Sequence, residues 1–248
     1  MKETRNIMGM HITVEIIDKK ATPEVFEEVF SYFTSVDKQF STYKNDSEIM
    51  RINRGEISVE NYSKEVKEIF ALAEKTKRET SGYFDIKKPD GTLDPSGVVK
   101  GWAIQNAAEL LLKKGYKNFY IDAGGDVQSS GLNEEGEDWS IGIRNPFKQE
   151  EIVKIVYTKG KGIATSGSYL RGQHIYNPHT PQEKLLEIVS LTVIGENVLE
   201  ADRFATAAFA MGRDGINFIE QLPGFEGYAI DKNGLATMTS NFELYTKK

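Results

Sequence analysis

The chain has 248 residues, of which 39% are hydrophobic and 27% charged, and a formal net charge of -6. That length supports one substantial core without requiring a second domain, and no Lys/Arg-rich run interleaved with aromatics gives an electrostatic footprint for nucleic acid. Cysteine is absent, which excludes disulfides, thiolate metal sites, Cys nucleophiles and a lipid anchor attached through Cys.

The expectation is a single domain over residues 1–248. The opening residues Met1 to Asn6 lack the apolar segment of a secretory signal, and no later stretch approaches a transmembrane span. As given, the chain reads as cytoplasmic, with an exported form open if a leader was removed.

Ile12, Val14 and Ile16 alternate with more polar neighbours and predict a strand entered through Met8-Gly9-Met10. A helix follows, with Thr22 at its N-cap, Pro23 at the first turn, and Val25, Val29, Phe33, Val36 and Phe40 as its apolar stripe. Ser63 caps a second helix with Val66, Ile69, Phe70 and Ala73 inward, and Gly82 lies past its end. A third helix is expected from Val99 to Lys114, stopped by Gly115, with Ala103, Ala107, Leu110 and Leu111 inward.

Phe119 to Ile121 reads as a short buried strand, broken by Ala123-Gly124-Gly125-Asp126 and resumed at Val127. Further strands are expected at 139–143, 152–157 and 189–194. Ala164 to Ser168 reads as a small, polar turn. Asn197 and Glu200 predict a reciprocal cap starting a helix that ends at Gly212, with Val198, Ala201, Ala205 and Ala208 inward. A short helix at 216–222 then precedes a hairpin turned at Asn233-Gly234. The irregular alternation predicts an α+β fold with largely antiparallel sheets rather than a doubly wound parallel sheet.

Several constellations carry possible chemistry. Asp202 and Thr206, four residues apart on a helix, project to one side and suit one hard cation such as magnesium. The alternative is that Thr206 bonds back along its helix and Asp202 is a solvated first-turn acid favoured by the dipole. Asp94 to Trp102, with Ser96, Gly97 and Lys100, makes a helix start suited to an anion, or an ordinary capped start; neither Walker nor dinucleotide spacing is met. Gly124-Gly125 permits close approach of a ligand or is a plain bend. Tyr43, Tyr83 and Phe84, beside Asp85, are candidates to stack on a planar ring or to join the core. His174, one of only three histidines, follows the Thr165-Ser166-Gly167-Ser168 run and is a candidate proton acceptor beside phosphate.

In this order the motifs resemble the ApbE family of FAD:protein FMN transferases. The resemblance runs through Met8-Gly9, Phe40 to Tyr43 with Ser47-Glu48 and Asn53, Thr80 to Asp85, Asp94 to Trp102, Ala123 to Asp126, Ala164 to Ser168, His174 to Pro178, and Ala201-Asp202 with Ala205-Thr206. It implies a T-fold-like α+β domain with packed helices that binds FAD and Mg2+, moves FMN to a Ser or Thr hydroxyl of an acceptor protein, and releases AMP.

Carried over by position, the resemblance places Met8, Tyr43, Tyr83, Phe84 and Asp85 against the flavin and Ser96 and Lys100 against FAD. It adds Gly124, Gly125, Asp126, Thr165, Ser166, Gly167, His174 and Ile175 to the nucleotide site. Gly97, through its carbonyl, and the Asp202 and Thr206 side chains would hold the metal. His174 is the candidate base, with Asp85 or Asp202 as alternatives. The chain departs from the family's usual pattern at Asn177 and at Thr180-Pro181, in a shortened segment between Asp85 and Asp94, and at Arg203-Phe204. Hydrolysis of FAD to FMN and AMP, and FAD binding without catalysis, are the competing functions.

Overall fold

The structure, a computed structural model, describes residues 1–167 and 175–246. Its first strands are β1 (Lys2–Ile7) and β2 (Met10–Ile16), joined by Met8-Gly9, both in the left-handed region at φ 57° and 71°. β1 has almost no apolar residues, so periodicity does not identify it. It is held at the edge of the sheet by pairing with β2 and by the Lys2–Glu15 ion pair at 2.9 Å.

Four helices follow: α1 (Pro23–Phe40), α2 (Glu48–Asn53), α3 (Lys64–Glu79) and α4 (Ser96–Lys113). Thr22 stands at the N-cap of α1 but makes no side-chain cap bond, so Pro23 and the buried stripe carry that helix start. Ser63 does cap α3, accepting the Val66 N–H at 3.2 Å. α4 begins at Ser96, three residues before the expected Val99, because Pro95 places the preceding turn and its carbonyl accepts the Val98 and Val99 N–H groups. The α2 helix, only 6 residues long, has too few turns to show a period.

The remaining elements are β3 (Phe119–Ala123), β4 (Asp126–Ser130), β5 (Ser140–Asn145), β6 (Lys148–Tyr157), β7 (Gly162–Gly167), β8 (Ile188–Gly195), α5 (Val198–Ala210), α6 (Asp214–Glu220), β9 (Glu226–Asp231) and β10 (Ala236–Met238). Eight strands form one sheet in the order β1-β2-β3-β4-β7-β8-β9-β10, and β5-β6 form a separate ribbon. Each pairing is antiparallel.

The run Ala164 to Gly167, expected as a turn, is instead the inner part of β7. The strand opens on glycine because α5 lies directly on it: a Cβ on Gly162 would stand 1.9 Å from the Val198 nitrogen. The Asn197 cap is made, with the side chain accepting the Glu200 N–H at 3.0 Å. Its expected reciprocal half is not, because the Glu200 carboxylate turns to Arg203.

One face of the sheet presents Ile12, Val14, Phe119 and Ile121 to α1 and α4, and Ala164, Leu191 and Val193 to α5. The other presents Ile163, Ile194 and Ile230 to Ile143 and Val156 of the ribbon and to Phe242. β8 is buried on both faces over most of its length, so it reads as a continuous apolar run. The result is α+β, with the helical layer fixing where α4, α5 and the β3–β4 turn meet.

Candidate functional site

The meeting of α4 and α5 depends on glycine. Gly in a helix interior costs about 1 kcal/mol relative to Ala, so Gly101 needs a local reason. A Cβ there would lie 2.7 Å from the Asp202 Cβ and 2.9 Å from the Val198 carbonyl oxygen. A Cβ on Gly97 would lie 2.9 Å from the Phe84 ring and 3.1 Å from the Thr206 methyl. The two absent side chains bring α5 against the first turns of α4, and Gln128 of β4 fixes the start of α5 by accepting the Val198 N–H at 2.8 Å.

This approach buries Asp202, which is 3% exposed. Its Oδ2 accepts the Gly101 N–H at 2.8 Å, the group that would serve the Gly97 carbonyl in an undisturbed helix. Lys100 Nζ stands 3.8 Å from Asp202 Oδ1 and 2.6 Å from Asp126 Oδ2. Asp126, only 1% exposed, accepts the Thr165 N–H through Oδ1 at 3.0 Å. The β4–β7 ladder ends at Val127–Ile163, so this carboxylate continues the connection between the strands where the ladder stops.

Burial raises the Asp202 carboxyl above the ordinary carboxylate range; Lys100 opposes that shift and the neighbouring Asp126 adds to it. Among the described residues these two buried carboxylates share the Lys100 ammonium, and burial beside Asp126 holds Asp202 toward its protonated form. Among the described residues no cluster of three or more His, Cys, Asp or Glu side chains is placed for a metal. Asp202, Thr206 and Gly97 line one cavity, to which they could offer a carboxylate, a hydroxyl and a carbonyl oxygen. Thr34 and Thr76 bond back to the carbonyl four residues earlier in their helices, at 2.9 Å each, and Thr206 makes no such bond among the described residues. An oxygen set of this kind fits a hard cation that takes its remaining ligands from water or phosphate.

Above this floor is a cavity of about 200 Å³ lined by Met8, Tyr43, Tyr83, Phe84, Asp85, Ser96, Gly97, Lys100, Gly124, Thr165, Ser166, Gly167, Ile175, Asp202 and Thr206. Met8 enters from the β1–β2 turn, and Gly124 from the two-residue β3–β4 turn. Gly125 and Asp126 are not part of the lining. The Gly125 N–H is occupied by Asp122 Oδ1 at 2.8 Å, and Asp126 sits behind the wall, holding Lys100 and Thr165. Asp85 is engaged by Lys77 at 2.5 Å and by the Lys87 N–H at 2.8 Å. His174 and Ser168 lie outside the described residues.

The rim is built differently. Tyr43 is 96% exposed, an aromatic standing in solvent at the mouth. The short segment between Asp85 and Asp94 closes as a tight turn, with the Lys88 N–H on the Thr92 carbonyl at 2.8 Å. Across it lies the 175–180 segment: the Tyr176 hydroxyl donates to the Lys87 carbonyl at 3.2 Å. His179 Nε2 lies 3.1 Å from the Ser81 carbonyl, and its ring stands edge-on to Tyr83 with centroids 4.6 Å apart. Met10, Asp37, Lys88, Asp94, Tyr176 and Pro178 also line the cavity. Sequence reasoning missed His179, whose only signal was the rarity of histidine.

Comparison with known proteins places this arrangement in a family. A model described as the ApbE family matches residues 8–89 and 86–229. A FAD:protein FMN transferase of Klebsiella pneumoniae (strain 342) is 34% identical over 59% of this chain and 44% of its own length. One from Escherichia coli (strain K12) is 26% identical over 88% of this chain and 80% of its own. The alignment to the first therefore spans less than half of that relative. Among solved structures, flavin transferase ApbE from Vibrio cholerae superposes with a TM-score of 0.86 at 23% identity, covering 99% of this chain and 98% of that one. The ApbE protein of Thermotoga maritima does so at 0.87 and 20%, covering 100% and 99%. The fold is theirs, and by the family match over most of its length the chain belongs to the ApbE family.

Proposed function

We propose that the chain is a magnesium-dependent FAD:protein FMN transferase, moving the FMN half of FAD to a Ser or Thr hydroxyl of an acceptor protein with release of AMP. The observation that carries this reading is the floor of the cavity, where, among the described residues, buried Asp202 and Asp126 crowd the one Lys100 ammonium and burial raises the Asp202 carboxyl, a setting that a bound cation would relieve. Asp202, Thr206 and the Gly97 carbonyl would hold the cation. A magnesium ion held there would supply charge neutralisation to a pyrophosphate and to its departing phosphate.

The remaining work falls to the chain's own groups. Lys100, fixed by Asp126, presents a further positive charge toward the pyrophosphate from beside the cation position. Thr165, Ser166 and Gly167 form the strand wall along which the phosphates run, with Thr165 held through its N–H by Asp126 and through its hydroxyl, 2.8 Å from that of Thr192. Tyr43 and Tyr83 would give flat apolar surface to the ring systems, while Phe84, 4% exposed, has joined the core and packs on Gly97. In the transfer the acceptor oxygen bonds to the FMN phosphorus, the bond from that phosphorus to the bridging oxygen breaks, and AMP leaves with the electron pair. The acceptor proton passes to a base. We assign that role to His174, which directly precedes the cavity-lining Ile175 in sequence; Asp85 is a poorer candidate because Lys77 and the Lys87 N–H already occupy its carboxylate.

Intact-mass spectrometry of a Thr-containing flavinylation-site protein, incubated with this chain, FAD and magnesium, tests the reading. One added FMN per acceptor, lost when magnesium is chelated, is expected. AMP release without an adduct would make the chain a FAD hydrolase, and tight FAD binding indifferent to magnesium without turnover would make it a binding protein; either overturns the proposal.

A further inference from the structure

Arg203 is a buried charge that the proposed chemistry does not use. Its side chain is 2% exposed, lies 4.0 Å over the Phe204 ring, and pairs with Glu200 on its own helix and Glu79 at the end of α3. It also donates from Nη1 to the Thr76 hydroxyl at 3.3 Å. A buried ion cluster of this kind is weak as a source of stability, since an apolar replacement of similar shape is often neutral or stabilising. Its connections give it another use.

From Thr76 the contacts continue into the wall of the cavity. The Thr76 carbonyl accepts the Thr80 hydroxyl at 2.8 Å, and that hydroxyl accepts the Phe84 N–H at 3.2 Å. The Phe84 ring rests on Gly97, which in turn faces the methyl of Thr206. A closed circuit therefore runs from α5 at Arg203 through the end of α3 and the cavity wall, then back to α5 at Thr206. Asp202 is the neighbour of Arg203 on α5. We propose that Arg203 is a positioning residue that sets the spacing between the Asp202/Thr206 edge of the site and the Tyr83–Asp85 wall, and so tunes cation-dependent binding of FAD.

This inference rests on the reading of the cavity as a site for FAD and magnesium, and the experiment separates the two. Flavin fluorescence would follow FAD binding at graded magnesium concentrations for the wild type, Arg203→Met, Arg203→Lys and Glu79→Gln, with melting temperatures alongside. Arg203→Met is expected to raise the magnesium concentration at half-saturation about five- to tenfold, the scale of coupling through a contiguous network, with Arg203→Lys recovering part of the loss. Glu79→Gln, which removes the charge of the α3 carboxylate and leaves the Arg203–Thr76 bond, shifts the midpoint in the same direction by a smaller factor and keeps the test valid if Arg203→Met does not fold. Magnesium midpoints equal to the wild type in the folded variants, whatever their melting temperatures, would overturn the role of Arg203. Magnesium-independent FAD binding by the wild type itself would instead overturn the reading of the site.

Discussion

The floor and the rim of the cavity are held by different physics. At the floor, Asp202, Asp126, Lys100 and Gly101 are buried or nearly so, and each is fixed by at least one contact from a different element. At the rim, Tyr43 and His179 are exposed, and the 175–180 segment is attached by single bonds to the Ser81 and Lys87 carbonyls. Charged chemistry needs the first kind of setting, because low dielectric and fixed dipoles make each charge count. Under the proposed function, the second would serve recognition of a ring system and of an acceptor chain.

Asp202→Asn breaks the floor most severely. With the cation position deprived of its carboxylate, FMN transfer measured by adduct mass is expected to fall by at least about 100-fold, in line with loss of a central electrostatic group. The same change relieves a strain in the metal-free protein. A carboxyl whose folded pKa lies above its unfolded value destabilises the fold increasingly as pH rises through and beyond the ordinary carboxylate range. Burial and Asp126 raise Asp202 in this way, so metal-free Asp202→Asn is expected to melt above the metal-free wild type at neutral pH. A lower melting temperature would show that Asp202 is better compensated than its surroundings imply.

Gly101→Ala has the next largest effect. Its Cβ would meet Asp202 Cβ and the Val198 carbonyl at 2.7 and 2.9 Å, so α4 and α5 must separate. A loss of about 1–3 kcal/mol in chemical denaturation is expected, the usual range for overpacking, together with weaker magnesium dependence. At the rim, His179→Ala should change stability by no more than about 0.5 kcal/mol, as for other exposed sites. It should nevertheless raise the KM for FAD a few-fold by releasing Tyr83. Equal losses of stability at Gly101 and His179 would erase the distinction between floor and rim.

Much of this was legible in the sequence where a single helix or strand carries its own signal. The stripes of α1 and α3, the Asn197 cap and the Asn233-Gly234 hairpin are local, and they appear where expected. Asp202 and Thr206 are readable for the same reason, since helical spacing alone sets them on one side. What was not legible depends on neighbours distant in the chain. The residues Ala164 to Gly167 read as a turn until β8 and α5 are laid against them, and β1 is a strand only because β2 pairs with it. Asp126 reads as part of a ligand loop, yet its place behind the wall follows from Lys100 and Thr165, which lie 26 residues before it and 39 after it. Arg203 and Glu79 are brought together across 124 residues, a distance no motif spans.

The most direct test of the central claim is magnesium-dependent FAD binding, measured by flavin fluorescence for the wild type beside Asp202→Asn. Binding that strengthens with magnesium in the wild type and is indifferent to it in the variant is the expected result. The same magnesium response in both proteins would contradict the assignment of the cation to the buried floor.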